Sequence, residues 1–193
     1  MPVARELQLS AELKIRALSR DNAGEFFDFH ERAGNWCFCV GWWTKTWDSW
    51  SLRTTEQNRS LRAALFEKGI FDGFLCYYGT QVVGWCQVGP ASRYEKMLSQ
   101  FDLAADDRVW AIGCILVHPD FRRRGISRFM IEQIIPKVFK LGAETIIALP
   151  KTGGDEDSAD LWNGPRSVFE CCGFIETKVV GTRKVVALAR VAR

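Results

Sequence analysis

The chain has 193 residues, 47% of them hydrophobic and 25% charged, with a net charge of +3 from 26 basic and 23 acidic side chains. That composition predicts one globular domain over residues 1–193, large enough to bury a core. It excludes a whole-protein field aimed at nucleic acid or a membrane surface, so any basic site must be local.

The first ten residues, MPVARELQLS, contain no apolar run of the kind a signal peptide needs and are expected to be loose. The longest apolar stretch, Val109 to Val117, is too short to span a bilayer. Seven cysteines form an odd set, several of them inside apolar runs where a free thiol packs as a small hydrophobe. A reduced, cytoplasmic compartment is the expectation, with no membrane association and no disulfide framework.

In chain order, Leu13 to Leu18 alternates like a half-buried strand, and Ser19 or Asp21 can cap a helix from Ala23 to Glu31. A tryptophan-rich piece follows, and Ser51 to Lys68 reads as a helix with Gly69 placed to end it. GFLCYYGTQVVGWCQVGP reads as two strands joined at Gly79-Thr80 and stopped at Gly89-Pro90. A polar-aromatic segment, SRYEKMLSQ, leads to an acidic loop at Asp106-Asp107. Val109 to Val117 is apolar throughout, as a central strand covered on both faces would be. Helical spacing of Ile126, Phe129, Met130, Ile134 and Val138 runs to Lys140, and Thr145 to Leu149 is another buried strand. After an acidic glycine-rich loop from Lys151 to Ala159, a short helix starts at Pro165. FIETKVV and RKVVALAR then make a second hairpin around Gly181-Thr182. About seven strands and four or five helices in mixed order predict an α+β domain, a mixed α/β fold.

The stretch HPDFRRRGIS, His118 to Ser127, lies between the buried strand and the amphipathic helix. A helix start exposes unpaired N–H groups and partial positive charge, which makes it an anion site. Gly125 and the small Ser127 let a ligand approach the backbone. Arginines add bidentate phosphate contacts, so the composite suits a pyrophosphate. Neither the Walker A pattern nor the dinucleotide G-x-G-x-x-G is present.

The run V-H-P-D-F-R-R-R-G-I-S-R-F-M resembles the acetyl-CoA signature of the GNAT superfamily of N-acetyltransferases, with Arg122, Gly125 and Ser127 in the places of its core pattern. VVGWCQVGP resembles the family's third strand, and SVFECCGF resembles its later helix-to-strand element. A Cys-x-Cys near the N-terminus and the Gly-Trp-Cys strand resemble a bacterial subgroup. The resemblance implies a GNAT fold, with a mostly antiparallel sheet whose central strands, Ile112–Val117 and Thr145–Leu149, splay to admit acyl-CoA. It implies that the backbone of Ile115, Leu116 and Val117 pairs with the pantetheine arm. It also implies that the N–H groups of Arg123, Arg124, Gly125, Ile126 and Ser127 hold the pyrophosphate beside the Arg122, Arg124 and Arg128 side chains. Asn163 and Phe169 fall where members of the family contact the cofactor arm, Asn163 one residue out of register. The implied function is acetyl transfer from acetyl-CoA to the amine of a small molecule, an acyltransferase. The alternative is an acyl-CoA-binding sensor without turnover.

Transfer to an amine requires loss of a proton, because a lysine-like amine has a pKa near 10.4. The family's usual proton donor is a tyrosine four residues before the glycine of Gly-Phe; here that place is Phe169, before Gly173. The strand Val109–Val117 carries no carboxylate. Tyr94 and Cys114 are the remaining candidate catalytic groups. For the acceptor pocket the expected residues are Trp36, Cys37, Cys39, Trp43 and Trp85. Trp43, Trp47 and Trp50 have helical spacing and would share a face, packing in the core, at a dimer contact or around an acceptor. Cys37 and Cys39 would point the same way in a strand. Cys-x-Cys without a second ligand pair does not make a zinc site, so no metal is expected.

Overall fold

The computed structural model describes residues 12–151 and 162–189. The N-terminal ten residues and most of the acidic loop after Lys151 lie outside the described residues. Seven strands form one sheet in the order β1-β2-β3-β4-β5-β7-β6. They are β1 (Leu13–Ala17), β2 (Phe74–Tyr78), β3 (Gln81–Pro90), β4 (Val109–Val117), β5 (Thr145–Ala148), β6 (Ile175–Val180) and β7 (Arg183–Ala189). All neighbours are antiparallel except β4 and β5, which run parallel. Five α-helices flank the sheet: α1 (Ala23–Arg32), α2 (Thr55–Glu67), α3 (Glu95–Phe101), α4 (Ile126–Lys140) and α5 (Arg166–Cys171). This is the mixed α+β architecture expected.

Local chemistry places most of the ends. Thr54 caps α2 with a reciprocal box to Gln57, and Gly69 follows in the left-handed region at φ 76°. That puts the helix start four residues later than the periodicity suggested. The SRYEKMLSQ segment, given no element from the sequence, contributes most of α3, which buries Met97 and Phe101 with Tyr94 just before its first turn. One face of the sheet packs on α4 through Met130, Ile134 and Val138. The other packs on α1 and α2 through Phe26, Phe29 and Phe66.

The pairing between β4 and β5 is short. Val109–Ile112 pair with Thr145–Ala148, and among the described residues Gly113–Val117 have β3 on one side only. The cause is a bulge: Gln87 faces Cys114 and Val88 faces Ile112, leaving Gly113 as an extra residue in β4. A bulge bends its strand and turns it away from its neighbour. The Gly113 carbonyl is held by Trp42 Nε1 at 3.0 Å and Asn163 Nδ2 at 3.1 Å, so the bend is anchored from both sides.

Candidate active site

The parting of β4 and β5 opens a cleft of 1320 Å³ that runs from the start of α4 to the tryptophan-rich segment. Toward α4 its lining contains Ile115, Leu116, Val117, Arg122, Arg123, Gly125, Ile126, Ser127 and Arg128, nine of the twelve residues that the resemblance assigns to cofactor binding. Gly125 is the N-cap of α4 at φ 78°, and Arg123 is also left-handed at φ 59°. No side chain caps this helix, so its first N–H groups face the cleft without a protein acceptor from a cap. Arg122 turns back to donate from Nε to the Val117 carbonyl at 3.3 Å, which closes the loop onto the strand. Arg128 pairs with Glu132 one turn on, at 2.7 Å.

Three expected cofactor residues sit elsewhere. Arg124 lies over the Phe121 ring, 5.4 Å from its centre, and is not in the cleft lining. Asn163 is buried, spending its amide N–H on the β4 bulge; Gly164 reaches the cleft in its place. Phe169 is fully buried, edge-on to Phe174 at 5.4 Å. A Cβ on Gly164 would stand 3.0 Å from its ring, so Phe169 supports the cleft floor from beneath.

At the tryptophan-rich end, Trp36, Cys37 and Cys39, three of the residues expected around an acceptor, line the cleft. Trp85 does not. It faces α1 in the core, 4.9 Å from Phe26, and its ring fills the space over Gly73. Trp43 is turned away too, edge-on to Tyr94 at 5.1 Å. The cleft instead receives Trp42, Trp47, Trp50 and Trp162. No α-helix carries these rings. Gly41–Trp43 is a single 3₁₀ turn, and Gly41 leaves space for Trp47, whose ring is 3.2 Å from the place of a Cβ. Lys96 Nζ stands 3.2 Å from the centre of the Trp47 ring and donates to Thr44 Oγ1 at 2.7 Å. Burial, with Arg53 nearby, brings its pKa down to about 8.

Cys37 and Cys39 are in a turn and not a strand, because Phe38 and Cys39 are both left-handed, at φ 44° and 50°. Arg62 of α2 holds that turn: fully buried, it donates to the carbonyls of Phe38 at 3.0 Å and Cys39 at 2.6 Å. The turn brings Cys39 Sγ to 2.9 Å from Cys114 Sγ and 3.6 Å from His30 Nε2. His30 uses Nδ1 on the Phe26 carbonyl at 2.9 Å, which leaves Nε2 as the acceptor. Burial depresses the His30 pKa to about 3, so the ring is neutral. Burial, then the hydrogen bond to Cys114, pushes the Cys39 thiol well up. No group of three His, Cys, Asp or Glu among the described residues is arranged to hold a metal.

Of the two candidate catalytic groups, Cys114 lines the cleft at the bulge. Tyr94 is fully buried away from it, its hydroxyl pushed far above the usual value by burial and by Asp72. Among the cleft residues not anticipated from the sequence is Gln87, the buried glutamine of β3, opposite Cys114.

The chain belongs to the acetyltransferase (GNAT) family, whose model matches residues 36–182. Solved structures share the fold at low identity. An acetyltransferase of the GNAT family from Listeria monocytogenes is 14% identical, with TM-score 0.60 over 92% of this chain and 95% of that one. The PaiA N-acetyltransferase from Thermoplasma acidophilum, in complex with coenzyme A, is 11% identical, with TM-score 0.55 over 92% and 99%. YncA, a putative acetyltransferase from Salmonella typhimurium solved with acetyl-CoA, is 14% identical, with TM-score 0.53 over 92% and 94%. No functionally curated protein matches the sequence.

Proposed function

We propose that the protein transfers an acetyl group from acetyl-CoA to the amine of a small molecule. The observation that carries this reading is the open edge of β4 from Gly113 to Val117, which leads directly to the uncapped start of α4. The donor set fits the nucleotide. Backbone groups of Ile115–Val117 offer an extended strand partner to the amide-bearing pantetheine arm. The first N–H groups of α4, with the Arg123 and Arg128 side chains, suit a pyrophosphate. Acetyl-CoA supplies an activated acetyl group there as a thioester. The chain holds the acceptor against it in a cleft walled by Trp36, Trp42, Trp47 and Trp50, which keep water from the reacting atoms. The flat indole walls favour a small acceptor with an apolar or aromatic body.

Isothermal titration with CoA tests the cofactor half. Wild-type protein binds, and Gly125→Glu, which puts a carboxylate at the helix start, loses at least about tenfold in affinity, equivalent to ~1.4 kcal/mol. Arg123→Glu gives the same direction without touching the cap. Unchanged binding in both variants would reject the site.

A further inference from the structure

Behind the acceptor end of the cleft, polar atoms accumulate that the fold itself does not satisfy. Gln87 is fully buried in the cleft wall, and neither its amide oxygen nor its nitrogen has a hydrogen-bond partner. Two residues on, Gly89 presents the same face of β3. There the Asp72 carboxylate lies directly on the strand, its Oδ2 2.7 Å from where a Cβ of Gly89 would stand. Asp72 Oδ1 is paired with Arg93, while Oδ2 is buried and unpartnered. The Tyr94 hydroxyl and Arg62 Nη1 are buried and unpartnered as well. The ionisable members of this set feel one another's charge: Asp72 and Arg62 both act on Tyr94, and Arg62 also acts on Asp72.

Buried polar groups in native proteins are satisfied, and a cluster that is polar and not self-paired is bridged by ordered water. Water bridging these groups would run from Gln87 in the cleft wall to the buried Asp72 carboxylate. The path also has an exit, since Arg93, the ion-pair partner of Asp72, is 44% exposed.

We propose that Asp72 receives the proton that the acceptor's ammonium group must lose, passed along water held between Gln87, Tyr94 and Arg62. This rests on the transferase reading above. The balance is simple. The ammonium gives one proton to the Asp72 carboxylate through the waters and becomes a neutral amine. The amine nitrogen then bonds to the acetyl carbon as the carbon–sulfur bond breaks, and its second proton leaves on the thiol. Asp72 returns its proton to solvent past Arg93, so each turnover of an alkylammonium releases one proton. The charged and titratable groups facing Asp72 are Arg93 from the turn after β3, Arg62 from α2 and Tyr94 ahead of α3. Asp72 acts through Gln87 and water and does not touch the acceptor.

The test uses Asp72→Asn with acetyl-CoA and the most active primary alkylamine of a panel, with kcat followed from pH 6 to pH 10 and acetyl-CoA affinity measured alongside. At pH 7 we expect kcat to fall about 10²-fold, the low end for a positioned proton acceptor. The deficit shrinks as pH approaches the amine's own pKa, near 10 for an alkylamine, where solvent has already removed the proton. Acetyl-CoA affinity stays at the wild-type value. A deficit of equal size at every pH, or no deficit, overturns the proposal. Gln87→Leu keeps the Asp72–Arg93 pair and serves if Asp72→Asn does not fold; it should give the same pH-dependent loss. If no amine turns over, the transferase reading fails and the relay, which rests on it, is overturned with it; where an amine does turn over, a high-resolution crystal structure of the wild type is the second measurement. Ordered waters joining the Gln87 amide to Asp72 Oδ2 support it, and a dry gap or direct pairing of these side chains overturns it.

Discussion

Replacing Arg62 by Met tests how the cleft wall is held. The guanidinium makes two hydrogen bonds, to the Phe38 and Cys39 carbonyls, and lies over the rings of Phe26 and Phe66 at 5.2 and 5.8 Å. Hydrogen bonds to a charged group contribute ~1.5–3 kcal/mol each. Both carbonyls belong to residues held left-handed, a conformation that costs about 1 kcal/mol or more per non-glycine residue and persists only when surrounding contacts enforce it. Against this, methionine removes a fully buried charge, which offsets part of the loss. The net expectation is destabilisation of ~3 kcal/mol, the low end for breaking a buried charged network. For a chain of this length that is a fall in Tm of about 6–12 °C. Urea denaturation and thermal melting measure it. Because the turn carries Cys37 and Cys39 into the cleft, KM for the acceptor should rise while acetyl-CoA affinity stays within about twofold, under ~0.5 kcal/mol. Stability within ~0.5 kcal/mol of wild type, the scale of an ordinary surface change, would refute the view that Arg62 holds the turn.

Further outcomes follow from the same structure. Phe169→Tyr restores the family's residue type but places its hydroxyl in the packed core below Gly164, so it should lower stability by ~1–3 kcal/mol and leave kcat unraised. The buried neutral His30 makes stability fall with acid. The unfolded ring takes a proton near pH 6.5 and the folded ring only near pH 3, so stability is complete above pH 6.5 and declines between those values. The decline is about 1.4 kcal/mol per pH unit inside the window, and His30→Gln, measured by urea titration at several pH values, should remove that slope relative to wild type. Under native conditions iodoacetamide should label the exposed Cys171 first and the buried Cys39, Cys76, Cys86 and Cys114 last, read by peptide mass spectrometry.

The strand and helix order was legible because it rests on periodicity and on strong stops: Gly69, Gly79 and Gly125 all fall at left-handed positions where their place in the sequence suggested a turn or cap. The phosphate-type loop was legible for the same reason, being a local unit of strand, turn and helix. Helix α3 was missed although Tyr94, Met97, Leu98 and Phe101 keep helical spacing, because its seven residues are outnumbered by polar neighbours. The acceptor wall was only half legible. Alternation says that Trp85 and Gln87 share a face of β3, but not that α1 covers the first and leaves the second at the cleft. Nor does local sequence reveal that Phe38 and Cys39 turn left-handed, since the cause is Arg62, more than twenty residues on. A lone glutamine between Cys86 and Val88 was the visible signal for Gln87. The approach of Asp72 to β3 two residues further on depends on Gly89 having no side chain, a contact only the folded chain makes.

The most direct test of the account is release of free thiol from acetyl-CoA by the purified protein across a panel of primary amines, from alkylamines to amines with aromatic bodies. Amine-dependent release is expected, fastest with an acceptor whose ring can lie against Trp36, Trp42 and Trp50, together with the matching N-acetyl product by mass spectrometry. Tight acetyl-CoA binding with no release by any amine would contradict it and make the protein a binder of the nucleotide without transfer.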